Sequence, residues 1–219
     1  MSGSTILGGE LRRMQLGSVP GSLYTRPILA RVKKSLFDIL QKRVAGSAFL
    51  DLFAGSGSVG LEAFSRGAKR VIFVDNNPYC QKWIKGNLQT IEQKLPDFFA
   101  GKEVRVVRCD ILAGLKEAGQ SFDLVFAGPP YRKAVNNRVF SRGGGRTQEP
   151  NHAARFNYEP LHIVSDLLEI AHRDGALRPK GWFIVQHHSR EEILAKASWN
   201  CLRQEKYGDT LLSFFEYVG

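Results

Sequence analysis

The sequence predicts an α/β fold: a doubly wound, mostly parallel seven-stranded sheet closed by an antiparallel C-terminal hairpin and preceded by a short N-terminal β-hairpin and helix. Three observations carry this. Short apolar runs alternate with segments of helical period, the first run breaks into a glycine-rich turn that opens a helix, and the last two runs follow one another as a hairpin.

Residues 1–24 are rich in Gly and Ser, with brief apolar–polar alternation between turn signals, and are read as an arm or hairpin ahead of a main domain over 25–219. In PILARVKKSLFDILQKRV, Ile28, Val32, Leu36, Ile39 and Leu40 fall at helical spacing, with Pro27 in the first turn, where its missing N–H costs nothing. The opposite face carries Arg31, Lys33, Lys34, Lys42 and Arg43, placed either in solvent or against phosphate.

From Ala48 the period changes. AFLDLF reads as a buried strand, GSGSVGLEAFSRG opens a helix, and RVIFVD is a second strand ending on an acid, which makes a βαβ unit. A helix over NPYCQKWIKGNLQTIEQKL, a strand over VRVVRCD, a short helix over AGLKEAG and a strand FDLVFA running into Gly128-Pro129-Pro130-Tyr131 follow. Residues 136–160, with a triple glycine and no apolar period, are expected to form a mobile loop. A helix over LHIVSDLLEIAHRD, a strand over GWFIVQHHS, a helix near REEILAKA and two strands over CLRQEKYGD and TLLSFFEYV complete the chain. A parallel sheet of this kind binds ligands at the carboxyl ends of its strands.

Composition narrows the function classes. Hydrophobic residues at 43% and charged residues at 24% suit an ordinary soluble domain. With no run of about 18 apolar residues and no basic-then-apolar leader, the expectation is a cytoplasmic protein without a membrane span. Cys80, Cys109 and Cys201 are odd in number and far apart, so they read as reduced thiols. The net charge of +10 and a pI near 9.7 favour a polyanionic partner, because neutralising phosphate with Lys and Arg is the main route to nucleic-acid affinity. No heptad suggests a dimer seam, and a monomer is expected.

The strongest chemical signal is Asp51-Leu52-Phe53-Ala54-Gly55-Ser56-Gly57-Ser58-Val59-Gly60. Gly55, Gly57 and Gly60 have the Gly-x-Gly-x-x-Gly spacing that lets a ligand approach the backbone and lets helix pack close to strand, which makes the fold Rossmann-like. Asp75, twenty residues beyond Gly55, ends the next strand, where an acid accepts from ribose hydroxyls. Alone this pattern equally permits NAD or FAD. Asp51 moves the balance, because a carboxylate disfavours pyrophosphate and suits the amino group of a methionine moiety, as in S-adenosylmethionine. Asp110, followed by Ile111, ends a further strand and suits either an adenine amino group or a helix N-cap. At Gly128-Pro129-Pro130-Tyr131, two prolines fix a turn whose carbonyls accept from an amino group while Tyr131 stacks on its base.

TRPILARVKKSLFDIL, FLDLFAGSGSVGLEAFSRGA, VDNN, the strand-end CD, GPPY and YGDTLLSFF together span nearly the whole chain. On these segments the sequence resembles the RsmD-type ribosomal RNA guanine-N2 methyltransferases. The resemblance implies S-adenosylmethionine as cofactor, held by Asp51, Phe53, Ala54, Gly55, Ser56, Gly57, Asp75, Asn76, Asp110 and Ile111, and transfer of its methyl group to guanine N2 in 16S ribosomal RNA or the small ribosomal subunit without a metal. It places the target amino group at Gly128, Pro129, Pro130 and Tyr131. The chain departs from the family at Gly128, where an Asp usually stands. A weakened enzyme relying on backbone carbonyls, compensation by Asn136 or Asn137, and a non-catalytic RNA-binding descendant are all compatible with that glycine, and adenine-N6 methylation of DNA or RNA uses a similar turn.

Arg12, Arg13, Arg26, Arg31, Lys34, Arg132 and Lys133 form the candidate nucleic-acid set, as a cluster rather than singly. The five histidines match no metal-ligand spacing, and Trp83, Trp182, Trp199, Phe214 and Phe215 are assigned to packing.

Overall fold

The computed structural model describes residues 4–17, 28–119, 121–129, 163–194 and 197–218. The expected loop over 136–160 lies outside these residues, as do Arg26, Pro27, Pro130, Tyr131, Arg132 and Lys133.

The chain begins with a two-stranded antiparallel hairpin, β1 (Ser4–Thr5) and β2 (Gln15–Leu16). Helix α1 (Ala30–Val44) follows, then β3 (Ala48–Leu52), α2 (Ser58–Ser65), β4 (Arg70–Val74), α3 (Pro78–Lys94) and β5 (Glu103–Val107). After β6 (Phe122–Ala127) come α4 (Ile163–Arg173), β7 (Leu177–His188), β8 (Trp199–Tyr207) and β9 (Thr210–Tyr217). The main sheet has seven strands in the order β5-β4-β3-β6-β7-β9-β8. The first five are parallel, and β9 runs antiparallel to both β7 and β8. The doubly wound sheet with its C-terminal hairpin is thus the one the sequence predicts.

Strand β3 lies inside the sheet between β4 and β6, and all five of its residues are buried, which explains its unbroken apolar reading apart from Asp51. One side of the sheet packs α1, α2, α3 and the hairpin residues Ile6, Leu11 and Leu16 into a common cluster with Phe49, Phe73, Phe126 and Ile184. The other side packs α4 and Ile111, Leu115 and Ala118 against Leu50, Ile72, Val125, Phe183 and Val185. Trp199, Phe214 and Phe215 are buried, as packing residues should be. Among the described residues, no helix is long and apolar enough to cross a membrane.

Three expectations are corrected, the first being the short helix over AGLKEAG, where the chain forms only a 3-10 turn at Lys116–Ala118. Lys33, read on the basic face of α1, is buried: its Nζ donates to Ser58 Oγ (3.0 Å), the Thr5 carbonyl (2.9 Å) and Ser4 Oγ (3.2 Å), and lies 3.5 Å from Glu62. Burial lowers its pKa, and Glu62 opposes that shift. A helical-period reading could not foresee it, because the hairpin docks on the flank of α1 and covers that position. The helix near REEILAKA is likewise absent over 191–194. There the Leu194 N–H donates to Ser165 Oγ at 2.9 Å, and a Glu191 carboxylate oxygen accepts from the Val164 N–H at 2.8 Å. The segment spends its polar groups on the start of α4 instead of closing helical turns on itself.

Candidate active site at the carboxyl edge of the sheet

Strand register fixes which residues meet. Leu52 stands opposite both Val74 and Ala127, and Val74 opposite Val107, so β3, β4, β5 and β6 end in line. Phe53–Gly57, Asp75 and Asn76, and Gly128 and Pro129 therefore leave the sheet at one edge, with Asp110 and Ile111 three and four residues past the end of β5. The strand order changes direction between β3 and β6, the point at which parallel α/β sheets open a crevice. The ladder extends slightly past the strands, with the Ala54 N–H donating to the Val74 carbonyl (3.1 Å) and the Gly128 N–H to the Leu52 carbonyl (3.3 Å).

The glycine loop is a tight left-handed turn. Gly55 and Gly57 have φ of 56° and 77°, a region open to glycine at no steric cost. Phe53 has φ of 57°, a strained conformation for a bulky side chain of the sort that concentrates at functional sites. Gly60 is required for packing, since a Cβ there would stand 2.3 Å from Phe73 Cε1.

Two acids hold this loop from below and from the side. Asp51, 1% exposed, accepts the Gly60 N–H through Oδ2 at 2.8 Å. Burial pushes its pKa up to about 7, against the Gly60 hydrogen bond and with help from the nearby Asp75 charge. Asp75 accepts the Gly55 N–H (2.8 Å) and the Asn77 N–H (2.9 Å), one on each oxygen. Burial raises its pKa as well, and those hydrogen bonds hold it back. Asp110 is exposed and accepts the Leu112 N–H at 3.2 Å in a local turn, with no helix starting there for it to cap, while Ile111 beside it is buried.

The structure also supplies residues that motif reading missed. Asn87, buried on the core face of α3, accepts from the Gly17 N–H (2.8 Å) and donates to the carbonyls of Gly17 (3.1 Å) and Ser56 (3.2 Å). It fastens the glycine loop to the N-terminal hairpin. Glu62, fully buried in α2, accepts from the N–H groups of Leu7 (2.7 Å) and Gly8 (2.8 Å) and from Arg66 Nε (2.8 Å). The available signal was a polar residue within a buried stripe: Asn87 in register with Cys80, Ile84 and Ile91, and Glu62 inside VGLEAF.

Of the candidate nucleic-acid residues, Arg12 and Arg13 sit exposed on the hairpin, and Arg31 and Lys34 are exposed on α1, Lys34 being paired with Asp38 at 2.6 Å. No group of three or more acidic, His or Cys side chains among the described residues is arranged to hold a metal.

The family model described as conserved hypothetical protein 95 matches residues 4–142. The ribosomal RNA small subunit methyltransferase D of Haemophilus influenzae is 38% identical over 185 residues, covering 84% of this chain and 78% of its own length. The Bacillus subtilis protein YlbH is 29% identical over 98% of this chain and 99% of its own. Among solved structures, the Escherichia coli protein yhhF superposes with a TM-score of 0.74 over 99% of both chains at 22% identity, a likeness of fold. With a family model spanning most of its length and a relative at this level of identity, the chain belongs to the conserved hypothetical protein 95 family, the RsmD type to which its motifs pointed.

Proposed function

We propose that this chain transfers a methyl group from S-adenosylmethionine to the exocyclic N2 of a guanine in 16S ribosomal RNA, acting on the small ribosomal subunit in the cytoplasm as a monomer. The observation that carries the reading is the in-line ending of β3, β4 and β6, which sets the acid-braced glycine loop beside the Gly128–Pro129 turn.

The residues suit the cofactor chemically. Asp51 is a buried acid whose Oδ1 has no hydrogen bond among the described residues, which favours a cationic amino group over a phosphate. Asp75 is held in place by two backbone donors and keeps lone pairs for ribose hydroxyls. Phe53, Ala54, Gly55, Ser56 and Gly57 form the loop against which the cofactor lies, and Asn76, Asp110 and Ile111 border the adenine side. The bound cofactor supplies an electrophilic methyl group. This chain's part is to orient the acceptor nitrogen in line with it, exclude water and hold the amino group through the carbonyls of Gly128 and the prolines, with Tyr131 stacked on the base. Arg12, Arg13, Arg26, Arg31, Lys34, Arg132 and Lys133 position the phosphate backbone.

Incubation with tritiated S-adenosylmethionine and unmethylated small subunits, followed by nucleoside analysis, is expected to yield N2-methylguanine. Label in N6-methyladenine instead would redirect the assignment. Gly128 favours a second reading, a non-catalytic RNA-binding descendant. Cofactor binding without transfer, unchanged in Gly128→Asp, would select it.

A further inference from the structure

Gly128 removes the side-chain acceptor usually present in this turn, and the neighbouring strand offers a replacement. Strand β6 ends at Ala127, opposite Val185 of β7, and β7 runs on through Gln186 to His188. Alternate residues of the two strands point to opposite faces. Leu124, Phe126, Trp182 and Ile184 lie with the cluster under α1, α2 and the hairpin, whereas Val125, Ala127, Phe183 and Val185 lie with the cluster under α4. Carrying this register one residue past the end of β6 brings Gly128 beside Gln186 on the first face, at the carboxyl edge. Parallel strands are about 4.8 Å apart, within the reach of a glutamine side chain.

Three further observations agree. Among the described residues, a Cβ built on Gly128 would have only Phe126 within 4 Å, at 3.3 Å and 3.7 Å from two ring atoms. Gln186 is half-buried, and its amide has no hydrogen-bond partner among the described residues. The amide reaches solvent and is free to meet a ligand at this edge of the sheet. On its other side Gln186 pairs through the backbone with Leu212 of β9, which holds its Cα in the sheet.

We propose that the Gln186 carboxamide oxygen takes the place of the missing acid and accepts a hydrogen bond from the target amino group. The inference rests on the methyltransferase reading above. In the step it serves, the amino nitrogen lone pair forms the new C–N bond as the C–S bond breaks. The sulfur leaves with the bonding pair as neutral S-adenosylhomocysteine, and the methylated nitrogen releases a proton to water. Gln186 takes no proton. It accepts a hydrogen bond that strengthens as positive charge grows on nitrogen, the condition under which a contact accelerates a reaction instead of only binding its substrate.

The test compares the full chain with Gln186→Leu, Gln186→Glu and the double variant Gln186→Leu/Gly128→Asp, measuring methyl transfer to small subunits and S-adenosylhomocysteine binding in each. Gln186→Leu is expected to lower kcat by about 10- to 150-fold with cofactor affinity within about twofold of the parent. Gln186→Glu, which keeps an acceptor and loses the donor, is expected to stay active, and Gly128→Asp is expected to restore at least about tenfold of the loss in the Leu background. A structural role would not yield that rescue. Unchanged kcat in Gln186→Leu, or an inactive Gln186→Glu that still binds cofactor, overturns the proposal while the methyltransferase reading stands. A parent protein that binds S-adenosylhomocysteine yet transfers no methyl group overturns both.

Discussion

Lowering the pH should weaken cofactor binding through Asp51, and the structure sets the size of the effect. Burial raises the pKa of this acid to about 7 in the ligand-free protein. A cationic amino group beside it stabilises the carboxylate and returns it toward the ordinary range near 4. Because the raised pKa belongs to the ligand-free state, binding releases a proton between about pH 4 and pH 7. Affinity therefore rises with pH across that window and levels off above it. At pH 5 only about one molecule in a hundred carries the ionised acid, so S-adenosylhomocysteine should bind about 100-fold more weakly than at the plateau, about 3 kcal/mol. An α-amino group stays protonated throughout this range, since it titrates near 7.7–8.0. Calorimetric titration at pH 5, 6 and 7, in buffers of different ionisation enthalpy, reads both affinity and proton release. Asp75 also titrates high, so Asp51→Asn isolates the effect, and the variant should show a much flatter profile. A parent affinity constant to within about threefold from pH 5 to 7, or an equal slope in Asp51→Asn, would refute the reasoning.

Three further outcomes follow from particular contacts. Gly60→Ala should destabilise the fold by about 1–3 kcal/mol, as judged by urea denaturation, despite alanine's better helix propensity, because its Cβ meets the Phe73 ring; a more stable variant would contradict the packing. Asn87→Leu should weaken S-adenosylhomocysteine binding by about 5- to 30-fold through the freed Ser56 carbonyl, whereas Ser65→Ala, which loosens the hairpin at Leu11 and Gly8 without touching the loop, should not. Equal effects would assign Asn87 to hairpin stability alone. Arg12→Ala/Arg13→Ala should weaken binding to small-subunit RNA and reduce its salt dependence by up to about two phosphate contacts, with cofactor affinity unchanged; an unaltered salt slope would remove the hairpin from the RNA interface.

The sequence by itself determined the order of the strands and the main helices, the parallel sheet with its C-terminal hairpin, the glycine turn and the acids at the strand ends beside it. These are local properties: a period of two or 3.6, a glycine where φ must be positive, an acid at the end of an apolar run. It placed Asp51, Asp75 and Gly55 in one site because a parallel sheet brings the carboxyl ends of neighbouring strands together. Only the tertiary structure decided the fate of Lys33, whose position on α1 reads as solvent until the hairpin covers it and Glu62 and Ser58 satisfy its ammonium group. It also decided residues 191–194, where the pattern suggested helix and long-range hydrogen bonds to α4 won instead. Asn87 and Gln186 belong to the same class. Each is an unremarkable amide in sequence, and each gains its significance from a neighbour far along the chain: Gly17 and Ser56 for one, Gly128 on the adjacent strand for the other. Periodicity reports which face of an element turns inward, and the partner waiting there is set by how the elements pack.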